Sequence, residues 1–370
     1  MIKRRELSHP QGISHTQEGF AIVLTLLVIS LALFLVTYIA MRGMNFGPYA
    51  QLVSSREQAK ELVLSGIDIA TAQLVARPQP SEKKQQPQES EQSGKQQTDE
   101  QFLLQTLLPG LNRWNVFNLK EGEEGIDAVL EVSITSEEGK INLNEIYDFD
   151  KHDFIASSKT GANWTTIMQE VLQRVEKHAG AKDLFKSLSA FLKKQPHKLN
   201  DITQLLTIPE FSVFKTSLFY EPPTAEEKQK KRPLYLTDIF TTNSSSSTIQ
   251  PWLLSDSLAA ILELPRAQAG DKKARLEKVQ AWIKEFKPTA AWKDDWNKLL
   301  KPVYQKELQS LLKGIESMLS PSFEPIFFSV LCQARVGRVT QRMCVILERI
   351  RTTENNEVVY TTAVRKLYWL

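Results

Sequence analysis

The sequence predicts an α+β protein: an N-terminal helix of transmembrane character, a small antiparallel sheet, and a large all-α insertion that interrupts the sheet. Three observations predict it. Phe20–Met41 is an unbroken uncharged apolar run, segments on either side of the chain's middle alternate as strands do, and residues 150–320 repeat their apolar side chains at helical spacing. With 370 residues, 24% of them charged and 42% hydrophobic, the chain is long enough for a sizeable core and ordinary in composition. Its net charge of +3 gives no electrostatic case for nucleic-acid binding.

Phe20–Met41 reads FAIVLTLLVISLALFLVTYIAM, 22 residues without a charge. At about 1.5 Å per residue it spans the ~30 Å hydrocarbon core of a bilayer, and it is apolar on every side, as a helix in lipid must be. Lys3, Arg4 and Arg5 precede it, and after Arg42 no base follows until Arg56. That asymmetry predicts an N-terminus in the cytoplasm and the rest of the chain across the membrane.

A secretory signal peptide has a shorter apolar stretch with a small-residue cleavage site behind it. Here the small residue stands in front, in Glu18-Gly19-Phe20. The arrangement resembles the leader of type IV prepilins. The resemblance implies that a membrane prepilin peptidase cuts between Gly19 and Phe20, that residues 1–19 are removed, and that Phe20 is N-methylated. Residues 20–41 then remain as anchor and filament core. Most pilins and pseudopilins carry Glu at the fifth mature position, where it is thought to pair with a neighbour's N-terminal amine; this chain has Leu24. A carboxylate in lipid is costly unless partnered, and its absence is typical of the K-type minor pseudopilins of type II secretion.

Beyond the span, Gly43, Gly47 and Pro48 predict a break in the helix. A second helix is expected from Ser55, with Ser55 and Gln58 at the spacing of a capping box and Ala59, Leu62, Val63, Ile67, Ala70 and Leu74 as its apolar stripe. Residues 42–76 thus form an amphipathic continuation that packs on a sheet. Residues 77–101 contain no large apolar side chain and read as a disordered linker.

Residues 102–149 open the globular head. Ala128–Thr135 alternates as a strand, and Glu138-Gly139 supplies a turn before Lys140–Asn144. The stretch Ser136-Glu-Glu-Gly-Lys-Ile-Asn-Leu-Asn144 is similar to the aspartate/serine–glycine–lysine–asparagine segment of the K pseudopilins. Its asparagines suit capping of nearby backbone where the chain leaves the sheet. Together with Gly19-Phe20 it identifies the chain as resembling that family, the general secretion pathway protein K family. The resemblance implies a type IV pilin-like fold in which residues 150–320 are a helical insertion and 321–370 return to the head.

Within the insertion, helices are expected at Ile167–Val175, Leu184–Leu192, Ile202–Leu206, Leu258–Leu264, Leu276–Phe286 and Leu308–Leu319. Leu199–Phe211 is also similar to a helix-hairpin-helix, but Glu210 stands where a phosphate-binding glycine belongs and opposes phosphate. Ile249–Trp252 departs from the family's asparagine and Thr-Ala landmark. In the C-terminal part, Phe327–Val336 and Val339–Ile350 flank Gly337-Arg338, a two-residue loop with glycine first, as a type II′ turn requires. The register that gathers the apolar side chains pairs Val336 with Val339, Cys332 with Met343 and Phe328 with Leu347. It places Cys332 and Cys344 on opposite faces, so no disulfide is expected. Val358–Leu370 adds a last strand with Trp369 packed near the chain end.

Nothing in the sequence points to an enzyme: there is no nucleophile elbow, phosphate loop or histidine-based pair. The family resemblance implies a calcium-binding acidic loop in the head, for which Glu145, Asp148, Asp150 and Asp153 are the candidate ligands. It also implies a subunit at the tip of a secretion pseudopilus, in the inner membrane with its head in the periplasm. There it would meet the I and J minor pseudopilins and the major pseudopilin, aiding pseudopilus initiation and the export of folded proteins. The alternatives are a type IV pilus or competence minor pilin, and an uncleaved single-pass protein with a periplasmic binding domain.

Overall fold

A computed structural model of the chain describes residues 15–75, 107–156, 163–223, 232–244, 246–265, 289–311, 314–354 and 357–370, with short pieces at 105, 277, 280–281 and 284–287. Residues 1–14 of the expected leader, the expected linker 77–101 and most of the expected helix Leu276–Phe286 lie outside the described residues.

Helix α1 is His15–Val75. The chain divides into two compact units, Met1–Gln58 and Ala59–Leu370, and α1 contributes to both. The expected break at Gly43–Pro48 is absent: Pro48 sits inside a continuous helix, and Ser55 and Gln58 are interior positions rather than a cap. A proline clashes with the Cβ of the residue before it when that residue is helical, and Gly47 has no Cβ. Nothing lies within 4 Å of where a Cβ on Gly43 or Gly47 would stand, so no neighbour forces a kink there.

In the second unit, Ala59, Val63, Ala70 and Leu74 of α1 are fully buried, at the spacings of one helical face. Between them, a Cβ on Gly66 would stand 3.0 Å from Cys332 Sγ and 3.2 Å from Leu130 and Val132 side-chain carbons, so glycine lets the helix settle closely on the sheet. That sheet has five strands, all neighbours antiparallel. In spatial order they are two from before the insertion, β1 (Asn115–Leu119) and β2 (Ala128–Ser136), then three from the C-terminal part, β7 (Phe327–Val336), β8 (Val339–Glu354) and β9 (Glu357–Trp369). After a two-residue strand β3 (Ile141–Asn142), one turn of helix α2 (Leu143–Ile146) leads to the short pair β4 (Tyr147–Asp148) and β5 (Asp153–Phe154).

The insertion follows. Helices α3 (Trp164–Ala179) and α4 (Leu184–Lys194) bury one stripe each, from Trp164, Ile167, Met168, Val171, Leu172 and Val175, and from Leu184, Leu188 and Leu192. Asn163 caps α3 by accepting the Thr165 N–H at 2.9 Å, and Gly180 ends it at φ +73°. Both helices match expectation. Elsewhere the insertion is less regular than an all-α reading. Ile202–Thr207 and Pro209–Phe214 are 3-10 turns, and α5 (Leu236–Ile239) runs into a two-residue strand β6 (Phe240–Thr241). Helices α6 (Asp256–Ile261) and α7 (Trp292–Leu299) come next. Leu308–Leu319 is no single helix but two 3-10 turns separated by Gly314 at φ +81°.

The C-terminal strands β7 (Phe327–Val336), β8 (Val339–Glu354) and β9 (Glu357–Trp369) complete the sheet. Their observed register pairs Val336 with Val339, Cys332 with Met343 and Phe328 with Leu347, as the apolar pattern predicts. Gly337 has φ +56° and Arg338 is not among the positive-φ residues, the signature of a type II′ turn rather than I′. The side chains of Leu130, Val132, Ile134, Val330, Cys332, Val345 and Leu347 are buried on the face that receives α1. At the end of α1, Arg349 donates from Nε to the Leu74 carbonyl at 2.8 Å, and its guanidinium stacks 3.4 Å over the Tyr360 ring. A cation at a helix C-terminus is the favourable arrangement. Trp369, expected to pack, is 46% exposed on the outer strand.

The turn at Glu138-Gly139 does not make a hairpin. β3 turns away from β2 and pairs in parallel with β6, Ile141 against Phe240 and Asn142 against Thr241. Lys140–Asn144 is therefore strand for two residues only, and its continuation is helical because Asn142 caps α2, accepting the Asn144 N–H at 3.0 Å.

Candidate functional site

Two parts of the chain carry features that a core alone does not require: the apolar length of α1 and the polar junction at Ser136–Asn144.

From Phe20 to Met41 the large side chains of α1 are exposed, Phe20 at 70% and Leu24 at 52%. Its hydroxyls bond back into the helix: Thr25 to the Ala21 and Ile22 carbonyls, Ser30 to Leu27 and Thr37 to Leu33. Its threonines and serine are thus satisfied within the helix, as a lipid environment demands. Among the described residues this is the one helix long and apolar enough to cross a membrane. Gly19 and Phe20 both lie within the helix.

At the junction, three consecutive charged or small residues are buried: Glu137, Glu138 and Gly139 form a 3-10 turn, followed by buried Lys140. Lys140 Nζ donates to Glu137 Oε1 at 2.5 Å and to Ser329 Oγ at 3.0 Å. The Glu137 carboxylate also accepts from the hydroxyls of Thr241 and Ser329. A buried ion pair is tolerable only when its remaining valences are met, and here β6 and β7 supply them.

Glu138 points elsewhere. Its Oε1 accepts the N–H groups of Phe327 at 2.8 Å and Ile326 at 3.2 Å, and Oε2 accepts the Ser136 hydroxyl at 2.7 Å. Burial pushes this carboxyl up to about 7, against the opposing pull of those hydrogen bonds. The backbone of the turn is used too: the Glu138 carbonyl accepts the Gln250 N–H at 2.8 Å, and Gly139 accepts that of Ser255 at 3.2 Å. Gln250 in turn brackets the backbone of Glu324, at 2.9 and 3.1 Å. Asp238 is also fully buried; it accepts the Ser257 N–H at 2.7 Å, and burial raises it to about 6 despite the nearby Lys140. Asn144 completes the junction, exchanging two hydrogen bonds with the Leu199 backbone at 2.9 and 2.8 Å.

The chain leaves the sheet at Ser136 and returns to it at Phe327, and these groups tie exit, return and insertion together. Above them lies a cavity of about 30 Å³, lined by Glu137, Lys140, Thr241, Ser329, Cys344 and Tyr368 among others. That is room for about one or two waters rather than a substrate. The outer strand closes over it, with the Tyr368 hydroxyl on Asp201 and Lys366 on the Asn200 carbonyl and Thr242.

The sequence picked out Ser136–Asn144 but not the burial of its charges. Glu-Glu-Gly-Lys reads as a solvated turn, and the groups that neutralise it, Ser329 and Thr241, are far away in sequence. The four acids singled out for calcium are placed close together but do not converge as a ligand set. Glu145 takes Lys198 at 2.7 Å. Asp148 takes Lys151 at 2.8 Å and accepts the N–H groups of Asp150 and Lys151, which holds its carboxyl below the usual range, the Lys151 side chain most of all. Asp153 accepts the Phe154 N–H at 2.8 Å, and Asp150 is exposed. Among the described residues no group of three or more His, Cys, Asp or Glu side chains could hold a metal ion.

No protein-family model matches this chain, and no curated protein matches it. Among solved structures, it is similar to a chain in the crystal structure of the GspK–GspI–GspJ complex from the enterotoxigenic Escherichia coli type 2 secretion system. The two are 13% identical, the match covers 89% of this chain and 99% of that one, and the TM-score is 0.39.

Proposed function

We propose that the protein is a pilin-like subunit, held by a single span in the inner membrane, with a non-catalytic head on the periplasmic side. Within that class we read it as a K-type minor pseudopilin of a type II secretion system. One observation carries the reading. A single helix supplies both an exposed, uncharged length of 22 residues and a buried face laid on a five-stranded antiparallel sheet. Anchor and core are thus supplied by one helix, which suits a subunit that passes from a membrane into a filament.

Two sequence features narrow the class. Gly19-Phe20 ahead of the run supports removal of residues 1–19 by a prepilin peptidase and methylation of Phe20. Leu24 in place of the usual Glu, and an insertion the size of residues 150–320, both suit a subunit with no neighbour above it. In this reading it caps a short pseudopilus with the I and J minor pseudopilins over the major one, and the filament drives folded proteins through the outer membrane.

The test is intact mass and N-terminal sequencing of protein purified from its native membrane. A start at N-methylated Phe20 is expected. An uncut Met1 start, in cells with an active prepilin peptidase, overturns the reading and leaves a bitopic protein with another task.

A further inference from the structure

Past the uncharged run, α1 carries a second patterned stretch that membrane crossing does not explain. Tyr38, Arg42, Phe46, Tyr49, Val53 and Arg56 follow one another at spacings of three and four, so they share one face of the helix. All six are exposed, Phe46 at 63% and Tyr49 at 67%. The opposite face holds Gly47, Gln51, Ser54 and Gln58, with Met44 as its one large apolar side chain. Arg42 already lies over the Tyr38 ring, 5.2 Å from its centroid, which turns the guanidinium along this face. No acidic side chain occurs between Phe20 and Glu57.

We propose that this face of α1 leans into the headgroup layer of the outer side of the membrane, with Arg42 on lipid phosphates and Phe46 and Tyr49 held beside it at the headgroup level. Aromatic rings and arginines gathered just beyond a span are its interfacial anchors, and arginines there are drawn to anionic lipid. The face is continuous with the span, and Tyr49 lies about 10 Å along the axis from Arg42. The headgroup layer is only about 6 Å deep on each side, so the helix must tilt toward this face to keep both in it. Arg56, about 21 Å along, reaches phosphate only at a steeper lean, so Arg42 carries the larger effect. A second copy of this helix is a poor occupant, since it would bring arginines against arginines.

The inference rests on Phe20–Met41 crossing a membrane, and not on the K-type reading. Full-length protein with Phe46→Cys or Gln51→Cys is labelled with an environment-sensitive fluorophore and reconstituted into phosphatidylethanolamine–phosphatidylglycerol vesicles. The native thiols do not compete: both are buried, and burial pushes each up to about 12. The expected result is bluer, lipid-quenched emission at position 46 and water-like emission at 51, with the difference reduced by Arg42→Gln and in vesicles without anionic lipid. Equal emission at the two positions overturns the proposal. So does shielding of position 46 that arises only when other pilin-like subunits are added, which assigns the face to a partner helix. Protein that fails to float with the vesicles overturns this proposal and the membrane span together.

Discussion

Gly139 lies flat against the Leu253 carbonyl: a Cβ built on the glycine would overlap that oxygen and stand 2.5 Å from its carbon. The obstacle is backbone, held by the hydrogen bonds from Gln250 and Ser255 to the same turn, so it cannot rotate aside. Gly139→Ala is expected to cost about 1–3 kcal/mol or more, as overpacking does where nothing yields. The urea midpoint of detergent-solubilised protein measures it, and an unchanged midpoint would show that the 250–255 segment is free to move off.

Lys140 is expected to matter more than its surface-like chemistry suggests. Lys140→Met leaves Glu137 charged and buried, which costs about 3–5 kcal/mol. Adding Glu137→Gln should recover much of that loss, since it removes the buried charge, and the amide can accept one of the Thr241 and Ser329 hydroxyls while its NH2 donates to the other. If the double variant is no more stable than Lys140→Met alone, the pair is not the unit that holds the junction.

The two buried carboxyls set a pH dependence. Burial raises Glu138 to about 7 and Asp238 to about 6, above the ordinary carboxylate range each regains on unfolding. Across that window the folded chain binds more protons than the unfolded one, so stability is greatest near the acid end and falls as pH rises toward neutrality. Urea midpoints should therefore be higher at about pH 5 than at about pH 8, and Glu138→Gln with Asp238→Asn should flatten the difference. A slope unchanged in the double variant would place its origin elsewhere.

Cys332 and Cys344 sit on opposite faces of the sheet, both buried and both free. Neither is expected to react with a thiol reagent in the native protein, and both should react in urea. A disulfide in the non-reduced protein, seen as a loss of two hydrogens in its mass, would contradict the observed register.

The hairpin β7–β8 was legible in the sequence because its information is local: a glycine that sets the turn, then ten residues whose alternation permits one register. α3 and α4 were legible for the same reason. The continuity of α1 was not, since proline argues for a break and the missing Cβ on Gly47 that permits continuity is a subtler signal. β1 was missed because Asn115–Leu119 buries little, with Val116 exposed. The parallel contact of β3 with β6 joins two dipeptides a hundred or so residues apart, and no short-range pattern encodes it. The polar junction was half legible: its residues stood out, but their burial depends on partners supplied from β6 and β7.

Ser136 and Phe328 are cross-strand partners, so everything between them is, by topology, one long loop between adjacent strands. Glu137 and Ser329, which touch, stand 192 residues apart in the chain. This spacing becomes a delay when the protein is made. At about 5–20 residues per second, β7 follows β2 by roughly 10–40 seconds. For that interval α1, β1 and β2 must wait with the inner edge of the sheet unpaired and the carboxylates of Glu137 and Glu138 in water. The seam between β2 and β7 can therefore close only over an insertion that has already been made.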